Sequence, residues 1–409
     1  MSDPYYQTLF ADRIGGAQYG KDTEIYKFEK IKRAKRKALA DYPDRKLIDF
    51  GIGENDEMAP EGVRAAMAEE INKPENRGYA DNGVAEFKEA AADFMKREFG
   101  VELNPVTEVN HCIGSKTALA MLPGAFINPG DVTLMTVPGY PVVGTHTRYY
   151  GGSVFKLPLL EENGFLPDLK SIPADVLAKA KILVLNYPNS PTGRLATKEF
   201  YAEVVEFAKA NQLVVVQDAA HMLLTYEGEP LSFLSVPGAK DVGVEVHSMS
   251  KGFNMIGWRI GWVCGSERIV QAFSDVKDNC DSGQFIAIQK AAATALADPE
   301  IPRAVKAKYQ RRLEKLVATL KASGFECEMP GGSYFLYAKS PKAAGDVTFD
   351  SGEAASQFLI TEQSICTVPW DDAGNYLRFS VTYEAADEAA EDALMAETQR
   401  RLSAIQLRF

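Results

Sequence analysis

The stretch KILVLNYPNSPTGRLATKEFYAEVVEFAKANQLVVVQD, residues 181–218, holds two apolar runs on either side of a helix-forming segment. Both runs are rich in Val, Leu and Ile without apolar–polar alternation, which is typical of strands buried on both faces. Between them, apolar residues recur at helical intervals, at Phe200, Val204, Val205 and Ala208. Such a strand–helix–strand unit predicts parallel strands joined by a crossover helix, and therefore an α/β fold.

Similar apolar runs lie on both sides of this unit: VTLMTV from Val132, VGVEVHS from Val242 and RIGWVCG from Arg259. Helix-period segments separate most of them, so we expect a mostly parallel sheet between layers of helices. The last two runs follow each other with little room for a helix. Part of the sheet is therefore expected to be antiparallel.

The sequence changes in character after about residue 290. The stretch AVKAKYQRRLEKLVATLKASG, residues 304–324, predicts a long amphipathic helix that ends at Gly324. Short strands (SYFLYAK and YLRFSVTY) and a C-terminal helix follow, while KLIDFGIG, residues 46–53, adds an edge strand. We predict an N-terminal arm (1–22), a small α+β domain (23–55 and 296–409) and a large α/β domain (56–295).

Composition narrows the class of protein. The 409 residues carry a net charge of −11, and no basic surface dominates, so we expect no nucleic-acid partner. The one basic run, KIKRAKRKALA from Lys30, places aliphatic residues at helical intervals and predicts a solvated helix face. The chain has no apolar run of membrane-spanning length and no signal-peptide pattern at its start, so we expect a cytoplasmic protein without a membrane partner.

Cysteines and histidines are few and scattered. The five cysteines form no CxxC pair, which favours free thiols over disulfides or a zinc site. The four histidines are equally dispersed, so we expect no metal centre. His111, His146 and His247 are interpreted as structural residues.

Two glycine-containing stretches are candidates for ligand binding. CIGSKTALAMLPGAF, from Cys112, begins a helix at Ser115 and Lys116, and free amides at a helix N-terminus bind phosphate, although small residues are also common helix caps. We expect Pro123 to shorten this helix. VPGYPVVG, from Val137, predicts a turn whose Tyr140 either packs internally or covers a flat aromatic ligand.

Polar clusters follow two of the predicted strands, in NYPNSPTG (186–193) and in VVVQDAAH (214–221). Ligands of open α/β sheets bind beyond the carboxyl ends of the strands. Asp218 directly follows a buried strand, where a carboxylate is costly unless it meets a cation. A protonated pyridine nitrogen is one such cation.

The stretch HSMSKGFNMIGWRIGW, residues 247–262, combines hydroxyls, an amine and a guanidinium. A solvated loop is the ordinary alternative, because lysine is normally exposed. Lys251 otherwise suits a Schiff base with a carbonyl cofactor, while Ser248 and Arg259 suit its phosphate. The amine must be neutral to attack, which partial burial and cationic neighbours favour.

Taken in order, these motifs resemble the fold-type I pyridoxal-phosphate enzymes, and among them the class I and II aminotransferases. Lys251 lies 33 residues after Asp218, as in that family, and PGGSYFLY from Pro330 and YLRFSVTY from Tyr376 resemble its small-domain segments. The resemblance covers essentially the whole chain. It implies a large domain with a mostly parallel seven-stranded sheet, a smaller α+β domain, pyridoxal 5′-phosphate as cofactor, and a homodimer with shared active sites.

Within that superfamily, four segments resemble the family of LL-diaminopimelate aminotransferases: TEIYKFEKIKRAK from Thr23, LIDFGIGENDEMAP from Leu47, RGYADNGVAEFKEAA from Arg77 and DVGVEVHSMSK from Asp241. The resemblance implies transamination of LL-2,6-diaminopimelate with 2-oxoglutarate, giving tetrahydrodipicolinate and glutamate. Alternatives within the superfamily are an aminotransferase for alanine, aspartate or an aromatic amino acid, and a carbon–sulfur lyase.

The resemblance also implies a role for individual residues. Lys251 forms the aldimine with the cofactor and carries protons, Asp218 pairs with the pyridinium nitrogen, and Arg378 binds the substrate α-carboxylate. The remaining cofactor contacts are Ser115, Lys116, Tyr140, Asn189, Ser190, His221, Ser248 and Arg259, with Tyr79 contributed across the dimer. Gly53 and Tyr26 border the substrate.

Two positions depart from the family pattern. Ser190 stands where the family has a second Asn in its N-N-P-T-G loop, and His221 stands where it has Tyr. Both family residues bond the phenolic oxygen of the cofactor, so Asn189, His221 or water takes over that contact here. Glu54, Asn55 and Asn82 are candidates for recognising the distal end of the substrate.

Overall fold

The computed structural model describes residues 5–21 and 27–409. Its α-helices are α1 (Lys27–Asp41), α2 (Glu61–Glu70), α3 (Ala85–Phe99), α4 (Ser115–Phe126), α5 (Val142–Tyr149), α6 (Ala174–Leu177), α7 (Lys198–Asn211), α8 (Ala239–Val242), α9 (Met249–Gly252), α10 (Glu267–Lys277), α11 (Ile286–Ala297), α12 (Glu300–Ala322), α13 (Gly352–Gln363) and α14 (Glu388–Ser403). Short 3-10 helices lie at Gln7–Leu9, Asp12–Ile14, Gly16–Gln18, Pro74–Arg77, Glu161–Asn163, Leu169–Ser171 and Phe233–Ser235.

The strands are β1 (Ile48–Asp49), β2 (Val109–Cys112), β3 (Val132–Val137), β4 (Ser153–Pro158), β5 (Ala180–Asn186), β6 (Val214–Asp218), β7 (Gly243–Ser248), β8 (Gly261–Gly265), β9 (Phe335–Lys339), β10 (Ala343–Ala344), β11 (Val347–Thr348), β12 (Ile365–Cys366), β13 (Val368–Trp370), β14 (Tyr376–Ser380) and β15 (Leu407–Arg408). Seven of them form the central sheet, in the order β2-β8-β7-β6-β5-β3-β4. Strand β8 runs antiparallel to the other six strands of this sheet, which share one direction. The prediction of a mostly parallel seven-stranded sheet with an antiparallel part is confirmed.

Both faces of the central sheet are buried. Leu183 and Val215 point into a core that also contains Phe200 and Val204 of α7. The alternating residues Ile182, Val184 and Val216 point into a second core with Leu119 and Leu122 of α4. Burial on both faces explains why these strands are continuous apolar runs in the sequence.

A separate core lies among the remaining elements. It gathers Ile48 from β1, Leu313 from α12, Leu336 from β9 and Leu377 from β14. The strands β13, β14 and β9 form an antiparallel sheet, and β1 pairs in parallel with β12. Helix α12 spans both units, since Ile301 belongs to the large core and Leu313 to the smaller one. The chain positions assigned to the domain boundaries stay a prediction.

Helix α1 contains the basic run. Ile31, Ala34 and Ala38 are buried against Ile360 of α13, while most of its lysines and arginines lie outside this contact. The prediction of a solvated helix face is confirmed. Among the helices of residues 5–21 and 27–409, none is both long and apolar enough to cross a membrane. All five cysteines are free thiols, as expected.

The expectation that Pro123 shortens its helix is wrong, because α4 continues through Pro123 to Phe126. A proline inside a helix removes the N–H that would bond the carbonyl four residues earlier. Leu119, Leu122 and Pro123 are all buried. The packing of this helix against the sheet therefore offsets the lost hydrogen bond.

Candidate active site

The carboxyl ends of the central strands bring the predicted site residues to one edge of the sheet. Gly261, at the start of β8, lies opposite both Cys112 at the end of β2 and Ser248 at the end of β7. Asp218, at the end of β6, lies opposite Asn186 at the end of β5. The segments that begin after these strands therefore converge on one cleft.

Lys251 lies in the short helix α9. Ser248 caps this helix, and its Oγ accepts a hydrogen bond from Ser250 N at 3.1 Å. Lys251 Nζ donates to the carbonyl of Gly53 at 2.8 Å. Burial, together with the charges of Arg378 and Arg259, lowers the pKa of Lys251 to about 8, although the charges of Glu54 and Asp218 oppose this shift. The amine is therefore predisposed to lose its proton near neutral pH.

Asp218 is buried, and its Oδ1 accepts a hydrogen bond from Ala220 N at 3.1 Å. Burial raises the pKa of this carboxyl to about 6. In the described part of the chain, no lysine, arginine or histidine forms an ion pair with it. A buried acid without a cationic partner suits a ligand that brings its own positive charge, such as a pyridinium ring.

The N-terminus of α4 and the Arg259 guanidinium lie together, and we call this arrangement the anion cradle because it suits an anionic ligand. Gly114 precedes the helix with φ +77, and a Cβ built there would lie 2.4 Å from Arg259 Nη2. The guanidinium therefore lies directly against the first turn, whose amides have no intrahelical acceptor. The Lys116 side chain is exposed, so the backbone amides of Ser115 and Lys116 are the groups that this turn offers to an anion.

Arg378 is buried on β14. Its Nη2 donates to the Gly51 carbonyl at 3.2 Å, and its guanidinium stacks on the Phe335 ring at 4.0 Å. Its Nε is buried and has no hydrogen-bond partner among the described residues. Burial lowers the pKa of Arg378 to about 10, so it stays charged at neutral pH. An unpartnered buried guanidinium N–H suits a carboxylate ligand.

His221 lies in the same cleft. Its Nδ1 is 3.1 Å from Ser333 Oγ, and its ring meets the Tyr334 ring edge-on at 5.3 Å. Burial, together with the charges of Lys251 and Arg378, lowers the pKa of His221 to about 3. The imidazole is therefore neutral at physiological pH.

The loop between β5 and α7 carries Asn189 and Ser190. Asn189 is fully buried, its Oδ1 accepts from the amide and hydroxyl of Thr192, and its Nδ2 donates to Pro138 O. Its side chain thus closes the loop internally. Ser190 is half-buried, and its amide donates to Asn186 Oδ1 at 3.0 Å.

The two tyrosines predicted to contact the cofactor are exposed in the single chain. Tyr140 follows β3 and is 40% exposed, and Tyr79 is 86% exposed. Tyr26 lies outside the described residues. The Gly53 carbonyl accepts hydrogen bonds from Lys251 Nζ at 2.8 Å and from the hydroxyl of Tyr334, the residue before β9, at 2.6 Å.

Two of the three residues predicted to recognise the distal end of the substrate, Asn55 and Asn82, form hydrogen bonds within the protein. Asn55 Nδ2 donates to the carbonyl of Lys251 at 2.7 Å. Asn82 donates to Asp278 and accepts from Asn110, so both ends of its amide are used. Of the three candidates, Glu54 keeps an exposed carboxylate beside the cleft.

Sequence reasoning missed the aromatic wall of the cleft. Tyr334 lies with its ring 5.2 Å from Lys251 Nζ, and Phe335 supports Arg378. Both residues belong to the segment PGGSYFLY, whose resemblance to the family was the available signal. A buried aromatic wall lowers the local polarity and so strengthens charge interactions in the cleft.

One group of possible metal ligands lies on strands β7 and β8 of the central sheet. Glu245, His247 and Cys264 have ligand atoms within 4.8 Å of one another and are buried. The scattered sequence positions did not predict this convergence. Glu245 already accepts hydrogen bonds from Ser232 Oγ and Phe233 N, and contacts His247 Nε2 at 2.8 Å. Glu245 and His247 therefore belong to a hydrogen-bond network that accounts for their burial.

The donor set fits pyridoxal 5′-phosphate. An amine of lowered pKa, a buried unpaired carboxyl and an anion cradle occupy one edge of the sheet, matching the carbonyl, ring nitrogen and phosphate of that cofactor. Arg378 adds a position for a carboxylate.

Comparison with known proteins agrees with this chemistry. Residues 45–393 match the family model "Aminotransferase class I and II". The chain is 56% identical to the LL-diaminopimelate aminotransferase of Methanocaldococcus jannaschii and 55% identical to that of Methanococcus maripaludis, over the full length of both chains in each case. The substrate-bound BacF structure from Bacillus subtilis superposes with a TM-score of 0.86 at 31% identity, covering 100% of this chain and 99% of that one. The chain therefore belongs to the class I and II aminotransferases, which are enzymes dependent on pyridoxal 5′-phosphate.

Proposed function

We propose that this enzyme transfers an amino group between LL-2,6-diaminopimelate and 2-oxoglutarate, interconverting them with tetrahydrodipicolinate and glutamate. The observation that carries the proposal is the 56% and 55% identity, over complete chains, to two enzymes named LL-diaminopimelate aminotransferase. The cleft formed by Lys251, Asp218 and Arg378 supplies the chemistry that transamination needs.

Bound pyridoxal 5′-phosphate supplies an electron sink for the electron pair left at the substrate Cα when its proton is removed. Asp218 would hold the proton on the ring nitrogen, because an ionised carboxyl buried at this point is stabilised by a cation. The amides of Ser115 and Lys116, with Ser248 and Arg259, would bind the phosphate. Tyr140 would cover one face of the ring.

Lys251 moves the proton. With a pKa of about 8, roughly a tenth of the amine is neutral at pH 7, so a base is present without a large cost of deprotonation. The Gly53 carbonyl, 2.8 Å from Nζ, holds the amine in the cleft. The same amine would take the proton from the substrate Cα and deliver it to C4′ of the cofactor.

Arg378 binds the α-carboxylate of each substrate, and its rigid fork fixes the Cα–H bond relative to Lys251. The exposed carboxylate of Glu54 is the side chain that we assign to the distal ammonium of the diamino acid. A substrate with charged groups at both ends is then held at both ends.

His221 and Ser190 replace the two family residues that bond the phenolic oxygen of the cofactor. His221 is neutral, so one ring nitrogen can donate a hydrogen bond to this oxygen while Ser333 holds Nδ1. Asn189 is committed to Thr192 and Pro138. We therefore assign the contact to His221, with the Ser190 hydroxyl as a second donor.

We also propose a homodimer with shared active sites. Tyr79, at 86% exposure, would reach the phosphate of the partner subunit, and Tyr26 the substrate of the partner. Large apolar side chains such as Tyr5, Leu9, Met58 and Phe285 are exposed in the single chain, and we propose that a second subunit covers some of them. We place the enzyme in the cytoplasm, where its five free thiols stay reduced.

A panel of amino donors tests the substrate assignment. The purified enzyme, loaded with pyridoxal 5′-phosphate, is given 2-oxoglutarate with LL-diaminopimelate, alanine, aspartate or phenylalanine, and glutamate is measured. We expect the highest kcat/KM with LL-diaminopimelate and no release of pyruvate from a sulfur-containing amino acid such as cystathionine. A higher kcat/KM with another donor would assign that donor as the substrate instead. The Lys251→Ala variant is the control, because it measures the glutamate that forms without the lysine amine.

A further inference from the structure

Gln284 lies in the segment between α10 and α11 and grips the turn that carries Arg259. Its Nε2 donates to two consecutive carbonyls, those of Trp258 and Arg259, each at 2.8 Å. The side chain comes from a segment about 25 residues further along the sequence. It therefore clamps this turn from outside.

The turn needs such a clamp because Arg259 has a left-handed backbone, with φ +54. Residues with a Cβ adopt this conformation only at an energetic cost, so the surrounding structure has to impose it. The position of the Arg259 guanidinium depends on this backbone conformation. Its Nη1 donates to Ile256 O at 2.8 Å, and its Nη2 lies against the helix N-terminus at Gly114. A relaxed backbone would aim the guanidinium elsewhere.

His111 orients the amide of Gln284. The Nε2 of Gln284 faces two carbonyls, so its Oε1 is the acceptor that faces His111 Nε2 at 2.9 Å. His111 therefore carries its proton on Nε2. Its Nδ1 is buried and has no partner among the described residues, which agrees with a neutral imidazole. Gln289 Nε2 fixes the backbone by donating to Gln284 O at 2.8 Å.

We propose that Gln284, oriented by His111, is a positioning residue that holds Arg259 in its left-handed conformation and so aims the guanidinium at the cofactor phosphate. The inference rests on the phosphate-binding role proposed above for Arg259. Gln284 acts through the arginine, so its loss weakens the grip on the phosphate and leaves the ring contacts in place.

Binding of pyridoxal 5′-phosphate and of pyridoxal to the cofactor-free protein separates these two effects. Pyridoxal has the same ring and carbonyl but lacks the phosphate. For Gln284→Met we expect the Kd for pyridoxal 5′-phosphate to rise about tenfold, which corresponds to about 1.4 kcal/mol, while the Kd for pyridoxal stays near the wild-type value. Gln284→Glu keeps the side-chain volume and replaces the donor, so it should lower the preference for the phosphorylated form at least as much.

Gln7→Met is the matched control. Gln7 is buried, and its Nε2 also donates to two carbonyls, Ala17 O at 3.0 Å and Tyr19 O at 2.9 Å, within the N-terminal arm. We expect this variant to keep the wild-type ratio of the two Kd values. Circular dichroism of each variant verifies folding.

Arg259→Lys tests the role on which the inference depends. If Arg259→Lys lowers the preference for the phosphorylated form and both Gln284 variants keep it, the clamp is refuted while the role of Arg259 stands. An equal loss in Gln7→Met would also refute the clamp, because the effect would then be unspecific. An unchanged preference in Arg259→Lys would refute the phosphate role and the clamp together.

Discussion

Three charged residues of the cleft, Lys251, Arg378 and Asp218, share one physical property, which is that burial disfavours their charged forms. It lowers the pKa of Lys251 and Arg378 and raises the pKa of Asp218. A cofactor with a pyridinium nitrogen and a substrate with a carboxylate bring charges opposite to those of Asp218 and Arg378. Ligand binding therefore relieves electrostatic costs that the folded protein carries by itself.

Asp218 should make the cofactor-free protein less stable as the pH rises. Its pKa is raised from 3.8 to about 6, so the stability it contributes is complete below pH 3.8 and is lost as the pH rises through 6. The full loss is on the order of 3 kcal/mol. Urea unfolding between pH 4 and 7.5 should show this decline in wild type relative to Asp218→Asn. If the free energy of unfolding changed with pH in the same way in both proteins, the raised pKa of Asp218 would be contradicted.

Arg378→Lys should weaken substrate binding although the positive charge is kept. A lysine cannot reproduce the two-pronged contact with a carboxylate, so we expect KM for both substrates to rise about tenfold or more. Steady-state kinetics measures this effect. Arg311→Lys, a change in a partly exposed ion pair with Glu391, is the control and should leave KM unchanged. An unchanged KM in Arg378→Lys would assign carboxylate binding to another group.

At the scale of elements, the strands and helices of the large domain follow from local patterns. The runs from Val132, Lys181 and Leu213 became β3, β5 and β6, because burial on both faces selects continuous apolar residues. Pairing between distant segments has no local signal: β1 pairs with β12, with Ile48 opposite Ile365. The aromatic wall and the clamp of Gln284 were missed for the same reason, since tertiary packing alone brings these residues together.

Gly114 precedes the first residue of α4 and lies against Arg259, which belongs to the proposed cofactor site. A Cβ in Gly114→Ala would lie 2.4 Å from Arg259 Nη2 and displace the guanidinium from the first turn of α4. We expect the Kd for pyridoxal 5′-phosphate to rise about tenfold or more. Gly130→Ala is matched, because Gly130 also has a left-handed φ (+90) and has no atom within 4 Å of an added Cβ. Equal affinities of the two variants would show that strain, not displacement of Arg259, sets the effect.

At the scale of the whole molecule, the order of the motifs predicted the family when no single motif did so. Lys251, Asp218 and Arg378 lie far apart in sequence, and the fold brings their segments to one cleft. The roles proposed for Tyr79 and Tyr26 involve a second subunit, so under this proposal a single chain holds only part of the site. Domain boundaries and dimerisation stay predictions at this scale.

Mixing two inactive variants tests the shared active sites. A hybrid dimer of Lys251→Ala with Tyr79→Ala has one intact site, built from Lys251 of one subunit and Tyr79 of the other. After the subunits exchange at equal concentrations, we expect about a quarter of wild-type activity, because half of the dimers are hybrids with one intact site each. Mixing Lys251→Ala with Asp218→Ala should restore no activity. Both residues of a site come from the same subunit, so no site of the hybrid dimer is intact. Equal activity of the two mixtures would contradict shared sites.

The half-reaction with LL-diaminopimelate tests the proposed function most directly. The enzyme loaded with pyridoxal 5′-phosphate is mixed with LL-diaminopimelate in the absence of a 2-oxo acid, and the visible absorbance of the bound cofactor is followed by stopped flow. We expect this absorbance to disappear in a single turnover, without pyruvate release, and to return when 2-oxoglutarate is added. Unchanged absorbance with LL-diaminopimelate, together with a rapid change on alanine, aspartate or an aromatic amino acid, would contradict the proposal.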